Sequence, residues 1–247
     1  TIGRGLGVVY QLVLLFGGRG TVHVERRHLQ LHGKVMMRLM RVSLGGLGQF
    51  LISTSSWVVL VKIVGGFGSV AVAAYNIAIR IIVFALMPSW GVSNAASTLV
   101  GQNLGAGRPD RAVTSVWQVG FYTAGFLLTV AAVFILWARQ LVGIFTDDPA
   151  VIAVGVDCLR LIAYGYPFYA FGMVMTQAFN GAGDTVTPTR INFFCYWCFQ
   201  LPLAWVLAHR LGLEATGVFA ASLLAEIALT VAGSGRFRRG AWKQREI

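Results

Sequence analysis

The sequence predicts an all-α membrane protein, a bundle of six transmembrane helices with the end of one more helix ahead of it. Three observations predict it. Hydrophobic residues make up 56% of the 247 residues and charged residues only 12%, a balance far from that of a soluble domain. The apolar residues are gathered into runs long enough to cross a hydrocarbon core about 30 Å thick, which takes about 20 residues at 1.5 Å per residue. The basic residues fall in alternate connections between those runs, as the positive-inside rule expects of a multi-pass chain.

In order, the apolar runs cover residues 43–64, 71–100, 113–138, 153–180, 187–208 and 214–235. A shorter run at 2–17, with Arg4 near its start, reads as the tail of a preceding helix. It lacks the basic start, apolar core and small-residue cleavage site of a secretory signal in their required order. The chain opens on Thr1 and is expected to be a piece of a longer protein.

Charge placement decides what the net charge of +11 means. Arg19, Arg26, Arg27, Lys34, Arg38 and Arg41 precede the first full helix. Arg108 and Arg111 follow the second, Arg190 follows the fourth, and Arg236, Arg238, Arg239, Lys243 and Arg245 form the tail. The opposite connections hold Lys62, Arg139, Arg210 and Arg160, diluted by Asp147, Asp148 and Glu214. Six crossings then put the segment before the bundle and the C-terminus both in the cytoplasm. No basic face interleaved with aromatics lies on a soluble element, so nucleic acid is not an expected partner. The lipid bilayer is, and the basic tail is expected to touch anionic lipid.

Enzymatic motifs are missing. There is no G-x-x-x-x-G-K-[ST] loop for nucleotide hydrolysis, no G-x-S-x-G and no H-E-x-x-H, so no enzyme and no cofactor are expected. Cys195 and Cys198 form a lone C-x-x-C within an apolar run, without the second pair that a zinc ribbon needs. His28 and His32 are one helical turn apart, but nothing supplies a third ligand, so no metal site is expected.

Polar residues inside the membrane are the informative ones, because each costs free energy unless it is partnered or wetted. Arg80 and Glu226 lie about ten and about twelve residues from the outer ends of their helices, at similar depth. They are expected to approach each other or to share a polar cavity. Gln49, Tyr75, Asn76, Asn94, Tyr169, Gln177 and Asn180 complete the candidates for a substrate or ion pathway, with Asn192 and Gln200 on the fifth helix. Phe84, Met87, Trp90, Tyr166, Phe168, Tyr169, Met173 and Met175 are candidates for an adaptable apolar pocket for flat cations. Pro88, Pro167 and Pro202 lie within helices, where each removes a backbone hydrogen bond.

Two polar stretches between the runs read first as helix ends. In GQNLGAGRPDRA, at 101–112, Gly101, Gly105 and Gly107 stop a helix, and Pro109 sits in the first turn of the next. In NGAGDTVTP, at 180–188, Gly181 and Gly183 end a helix, Asp184 or Thr187 caps the next, and Pro188 takes its first position.

These two stretches, with AYNIAIR at 74–80, resemble the multidrug and toxic compound extrusion (MATE) family, whose matching segments belong to the second half of a protein of about twelve membrane helices. The resemblance runs from about residue 40 to the C-terminus. The residues that carry it in the loops are Gly101, Gln102, Gly105, Arg108, Gly181, Gly183, Asp184 and Pro188.

It implies a secondary antiporter that exports organic cations and xenobiotics in exchange for Na⁺ or H⁺, by alternating access of two lobes. Residues 1–17 are then the end of the last N-lobe helix, 18–42 a basic cytoplasmic linker, 43–235 the C-lobe bundle and 236–247 a basic cytoplasmic tail. A missing N-terminal lobe and small organic cations become the implied partners, in a plasma (inner) membrane.

Some branches of the family place cation-binding carboxylates on the first and fourth helices of this half. Gln49 and Tyr169 stand near those positions here, and neither carries a negative charge. The coupling ion, Na⁺ or H⁺, is therefore left open, with Glu226 the one deeply placed carboxylate. A flippase for lipid-linked or amphiphilic substrates, and an inactive partial product or membrane scaffold, are the alternatives.

Overall fold

A computed structural model of the protein describes residues 2–17 and 32–244. Arg19, His23, Arg26, Arg27, His28 and Arg245 lie outside the described residues. The chain divides into two compact units, 1–41 and 42–247. In the first, α1 (Ile2–Phe16) is apolar, and Leu6, Val9, Tyr10 and Val13 are exposed along it.

Six helices are long and apolar enough to cross a bilayer: α2 (Gly33–Gly65), α3 (Ser69–Gly105), α4 (Pro109–Gly143), α5 (Pro149–Gly181), α6 (Val186–Arg210) and α7 (Glu214–Arg238). A 3₁₀ turn, Ala241–Gln244, closes the described chain. Most of the helices outrun the apolar runs that predict them. α2 begins ten residues before the run at 43, so residues 33–42 are helical. The reason is that polar residues just outside the hydrocarbon lower hydropathy without weakening backbone hydrogen bonds.

Local chemistry sets the helix ends. Asp148 accepts from the Ala150 N–H at 2.9 Å, and Pro149 takes the first position of α5, where its missing N–H has no partner to lose. Pro109 opens α4 in the same way. α6 departs from the expectation. It starts at Val186, so Pro188 is its third residue, still within the turn whose N–H groups have no intrahelical acceptor. Asp184 caps that turn, accepting from the Thr187 N–H at 3.3 Å and the Thr187 hydroxyl at 2.7 Å.

Pro88 and Pro167 lie inside α3 and α5. α6 is π-helical over Phe193–Gln200, just ahead of Pro202. The wider i→i+5 pattern there carries the helix past a residue that cannot donate.

In the second unit α5 lies at the centre, packed against α3, α4 and α7. One buried cluster takes Leu60, Val64, Ile82, Leu127, Phe134, Tyr166 and Phe219. A second gathers Val100, Val116, Met175, Phe179, Phe237 and Trp242 at the end of the bundle where α3 and α5 stop. Alanine and glycine fill the contacts, as helices in lipid associate through close packing rather than hydrophobic exclusion. The tail belongs to this second core. Gly240, at φ 72°, turns the chain back, and Trp242, 1% exposed, stacks on Phe237 with ring centres 4.7 Å apart.

Candidate functional site: two cavities that share Glu226

Side chains recurring every three or four residues give a helix a single face, and five such faces meet around a cavity of about 500 Å³. α3 contributes Tyr75, Ile79, Ile82, Val83, Leu86 and Trp90, and α2 contributes Phe50, Ser53, Thr54 and Trp57. Tyr166 and Tyr169 come from α5, Tyr196 and Gln200 from α6, and Ser222, Leu223 and Glu226 from α7. Polar atoms in this wall are tied together. Ser56 donates to Gln200 at 3.3 Å, and Gln200 donates to Ser222 at 3.1 Å. Trp90 donates to the Tyr169 hydroxyl at 3.3 Å, and Tyr196 donates to the Glu226 carboxylate at 3.2 Å. Among the described residues, no arginine or lysine lines the space, and Glu226 is its one carboxylate. The Tyr166 hydroxyl is buried there without a protein partner among the described residues.

A smaller cavity, about 180 Å³, adjoins it and differs in character. Gln49, Thr176, Gln177, Asn180 and Asn192 line it, with Met173 and Leu229. Glu226, Tyr169 and Tyr196 line both cavities. An amide ladder crosses from α2 to α3 along its wall. Gln49 donates to Asn180 at 3.0 Å and to the Thr185 carbonyl at 3.2 Å. Asn180 donates to Gln177 at 3.2 Å, and Gln177 donates to Asn94.

The two motif loops hold that ladder in place. Gly181 follows Asn180 at the point where α5 and α3 touch backbone to backbone. A Cβ on Gly181 would overlap the carbonyl and Cα of Ser97. Gly101 is not a terminator as its loop suggested; α3 runs four residues past it, and its missing side chain faces the Gly181 carbonyl. Gly105 does end α3, and Gly183, at φ 73°, makes the left-handed turn that leads α5 into Asp184. Gln102 and Arg108 are exposed, Arg108 at the cap of α4 with its N–H on the Asn103 carbonyl at 2.8 Å.

The expected meeting of Arg80 and Glu226 does not occur. Arg80 is exposed, lines neither cavity, and makes no ion pair with Glu226 among the described residues. Depth along a helix does not fix azimuth. Ile79 faces the larger cavity, so Arg80 is turned away by about 100°. Asn76 shares its face and donates to its own helix, to the Val72 carbonyl at 2.9 Å. Phe84 (78% exposed) and Met87 (56%) also point away from both cavities. Of the expected pocket residues, Trp90, Tyr166 and Tyr169 line the larger cavity, Tyr169 and Met173 the smaller. Phe168 is exposed and Met175 is buried in the second core.

Sequence reasoning passed over Tyr196, Thr176 and Ser222. Tyr196 was legible in principle: Asn192, Tyr196 and Gln200 recur every four residues, one polar stripe on an apolar helix.

Comparison with known proteins agrees with this architecture. The MatE family profile matches residues 47–206. The chain is 28% identical to the probable multidrug resistance protein NorM of Pseudomonas putida over 249 residues, covering 96% of this chain and 54% of that protein. It is 28% identical to its namesake in Thermotoga maritima over 180 residues, 73% of this chain and 39% of the relative. Among solved structures, one of MATE in the straight conformation superimposes with a TM-score of 0.89 at 21% identity, covering 97% of this chain and 54% of that one. A MOP superfamily transporter from Pyrococcus furiosus, described as having a binding pocket of reverse polarity, gives 0.88 at 21% identity, with 96% and 54% covered. The chain thus spans about half the length of the relatives it matches. It belongs to the MatE family, as a multi-pass membrane protein whose six spans correspond to roughly the C-terminal half of those relatives.

Proposed function

We propose that this chain forms the C-terminal lobe of a secondary antiporter, which expels organic cations in exchange for H⁺ or Na⁺ as two lobes alternate their access. The observation that carries the reading is Glu226, a single carboxylate in the wall of an apolar, aromatic cavity of about 500 Å³. Aromatic faces and one negative charge are what a flat or quaternary cation selects in a low-dielectric site. A carboxylate can neutralise one cation at a time, so an organic cation and H⁺ or Na⁺ compete for Glu226. That competition is the minimum an exchanger needs, because arrival of one releases the other. The relatives' description as probable multidrug resistance proteins supports the substrate class.

The cavity is bounded by one half of the expected molecule, and a second lobe would close it. The basic loops support a reading in which both ends of the bundle face the cytoplasm. A flippase for lipid-linked anions would want a basic chamber, and among the described residues neither cavity has an arginine or lysine in its lining. The family match supports a transporter rather than an enzyme.

The test is expression of the complete gene in a drug-sensitive host. The parent is expected to raise resistance to ethidium or a similar cation several-fold. Glu226→Gln, expressed to the same level, is expected to lose that gain. Failure of the parent to expel any cationic dye or drug would overturn the reading.

A further inference from the structure

We propose that the smaller cavity is a hydrated vestibule through which Glu226 exchanges its inorganic cation with the membrane side bearing the basic loops, while the organic substrate uses the larger cavity. The inference rests on the antiport reading and adds to it a separate route for the driving ion.

Three observations support it. First, the two cavities meet at Glu226 but offer opposite solvents. The larger is aromatic and aliphatic; the smaller presents amides and a threonine hydroxyl. An ion that must leave water is held back by desolvation, and a wall of hydrogen-bonding groups lowers that barrier where an apolar wall does not. Among the described residues, no lining side chain other than Glu226 carries a formal charge that would trap a cation.

Second, the lining is not satisfied by protein alone. Asn192 is 7% exposed, and its Oδ1 has no hydrogen-bond partner among the described residues. Its neighbours Gln49, Asn180 and Gln177 are by contrast engaged in the ladder. A buried amide oxygen left open in a polar space of about 180 Å³ is a place for water. At about 30 Å³ each, several molecules fit.

Third, the cavity leads in the right direction. From Tyr169, beside Glu226, to Asn180 is eleven residues of α5, a rise of about 16 Å. Asn180 stands one residue before the end of α5, next to the loop that leads on to Arg190. Water in the vestibule would thus extend from the level of the carboxylate to the basic end of the bundle.

The experiment is cysteine labelling in the complete gene product, reconstituted in vesicles of both orientations, with Cys158, Cys195 and Cys198 replaced. Thr176→Cys reports the vestibule and Ile79→Cys the larger cavity. The probe is a water-soluble, cationic methanethiosulfonate. Thr176→Cys is expected to react from the side bearing the basic loops, and a saturating organic cation is expected to protect Ile79→Cys but not Thr176→Cys. Asn192→Leu, which would dry the vestibule, is expected to slow transport at least about tenfold while leaving substrate affinity within about twofold.

An unreactive Thr176→Cys, or one protected by substrate as fully as Ile79→Cys, would overturn the proposal even if Glu226→Gln abolishes transport. Should Asn192→Leu fail to fold, the labelling decides alone. Parental transport by Glu226→Gln would overturn the antiport reading, and this role for Glu226 with it.

Discussion

At Gly181 the missing side chain is the structural fact. The backbones of α3 and α5 approach there so closely that a methyl group would overlap Ser97. Neither backbone can yield without shifting a helix, so Gly181→Ala is expected to destabilise the bundle by about 1–3 kcal/mol. Gly125 is the control. It lies within α4 with nothing near its absent Cβ, so Gly125→Ala should leave Tm unchanged or raise it, as alanine is favoured over glycine in helices by about 0.5–1 kcal/mol. Thermal unfolding in one detergent compares the two; equal losses would contradict the close approach. Gln49 makes a second case. It donates to both Asn180 and the Thr185 carbonyl, so Gln49→Leu strands two acceptors and is expected to cost about 1–3 kcal/mol. The loop motif advertised Gly181 as a helix terminator. Its close contact was illegible, because spacing along one helix says nothing about how near a neighbouring helix comes. Arg80 shows the same limit: its depth was readable from helix rise, while its direction depended on which face of α3 the other helices cover.

Among the elements, α6 and the tail depart furthest from a plain reading. The apolar run at 187–208 predicts an ordinary helix, yet it is π-helical ahead of Pro202. That geometry accompanies the turning of Tyr196 and Gln200 into the cavity wall. The tail, expected as a basic segment that also touches lipid, packs against the end of the bundle. Trp242 donates to the Phe237 carbonyl at 3.0 Å, Arg238 lies 5.7 Å from the Trp117 ring centre, and Lys243 pairs with Asp110 at 3.2 Å. Composition alone showed the five basic residues and hid the tryptophan among them. Burial and not charge should hold this clasp, since Asp110 is 97% exposed and water screens the pair. Trp242→Ala is therefore expected to speed amide exchange over residues 237–244 by more than about tenfold, and Lys243→Ala to change it little. The reverse order would mean that the ion pair is the clasp.

The whole molecule was legible as far as physics of the chain reaches. Hydropathy marks six crossings, charge marks alternate loops, and the motif loops mark where α3 and α5 end together. Absent from the sequence was the partition of the interior into an apolar and a polar chamber, with Glu226 in the wall of both. That partition depends on azimuth in five helices at once. It leaves one carboxylate, Glu226, to be contested by an organic cation and an inorganic one under the proposed exchange. The most direct measurement is ethidium transport by the purified, complete gene product in proteoliposomes under an imposed H⁺ or Na⁺ gradient, comparing parent with Glu226→Gln. The parent is expected to respond to one of the two gradients, and Glu226→Gln, folded to the same Tm, is expected to lose the response at least about tenfold. Transport by Glu226→Gln at the parental rate, with the same dependence on the gradient, would contradict it.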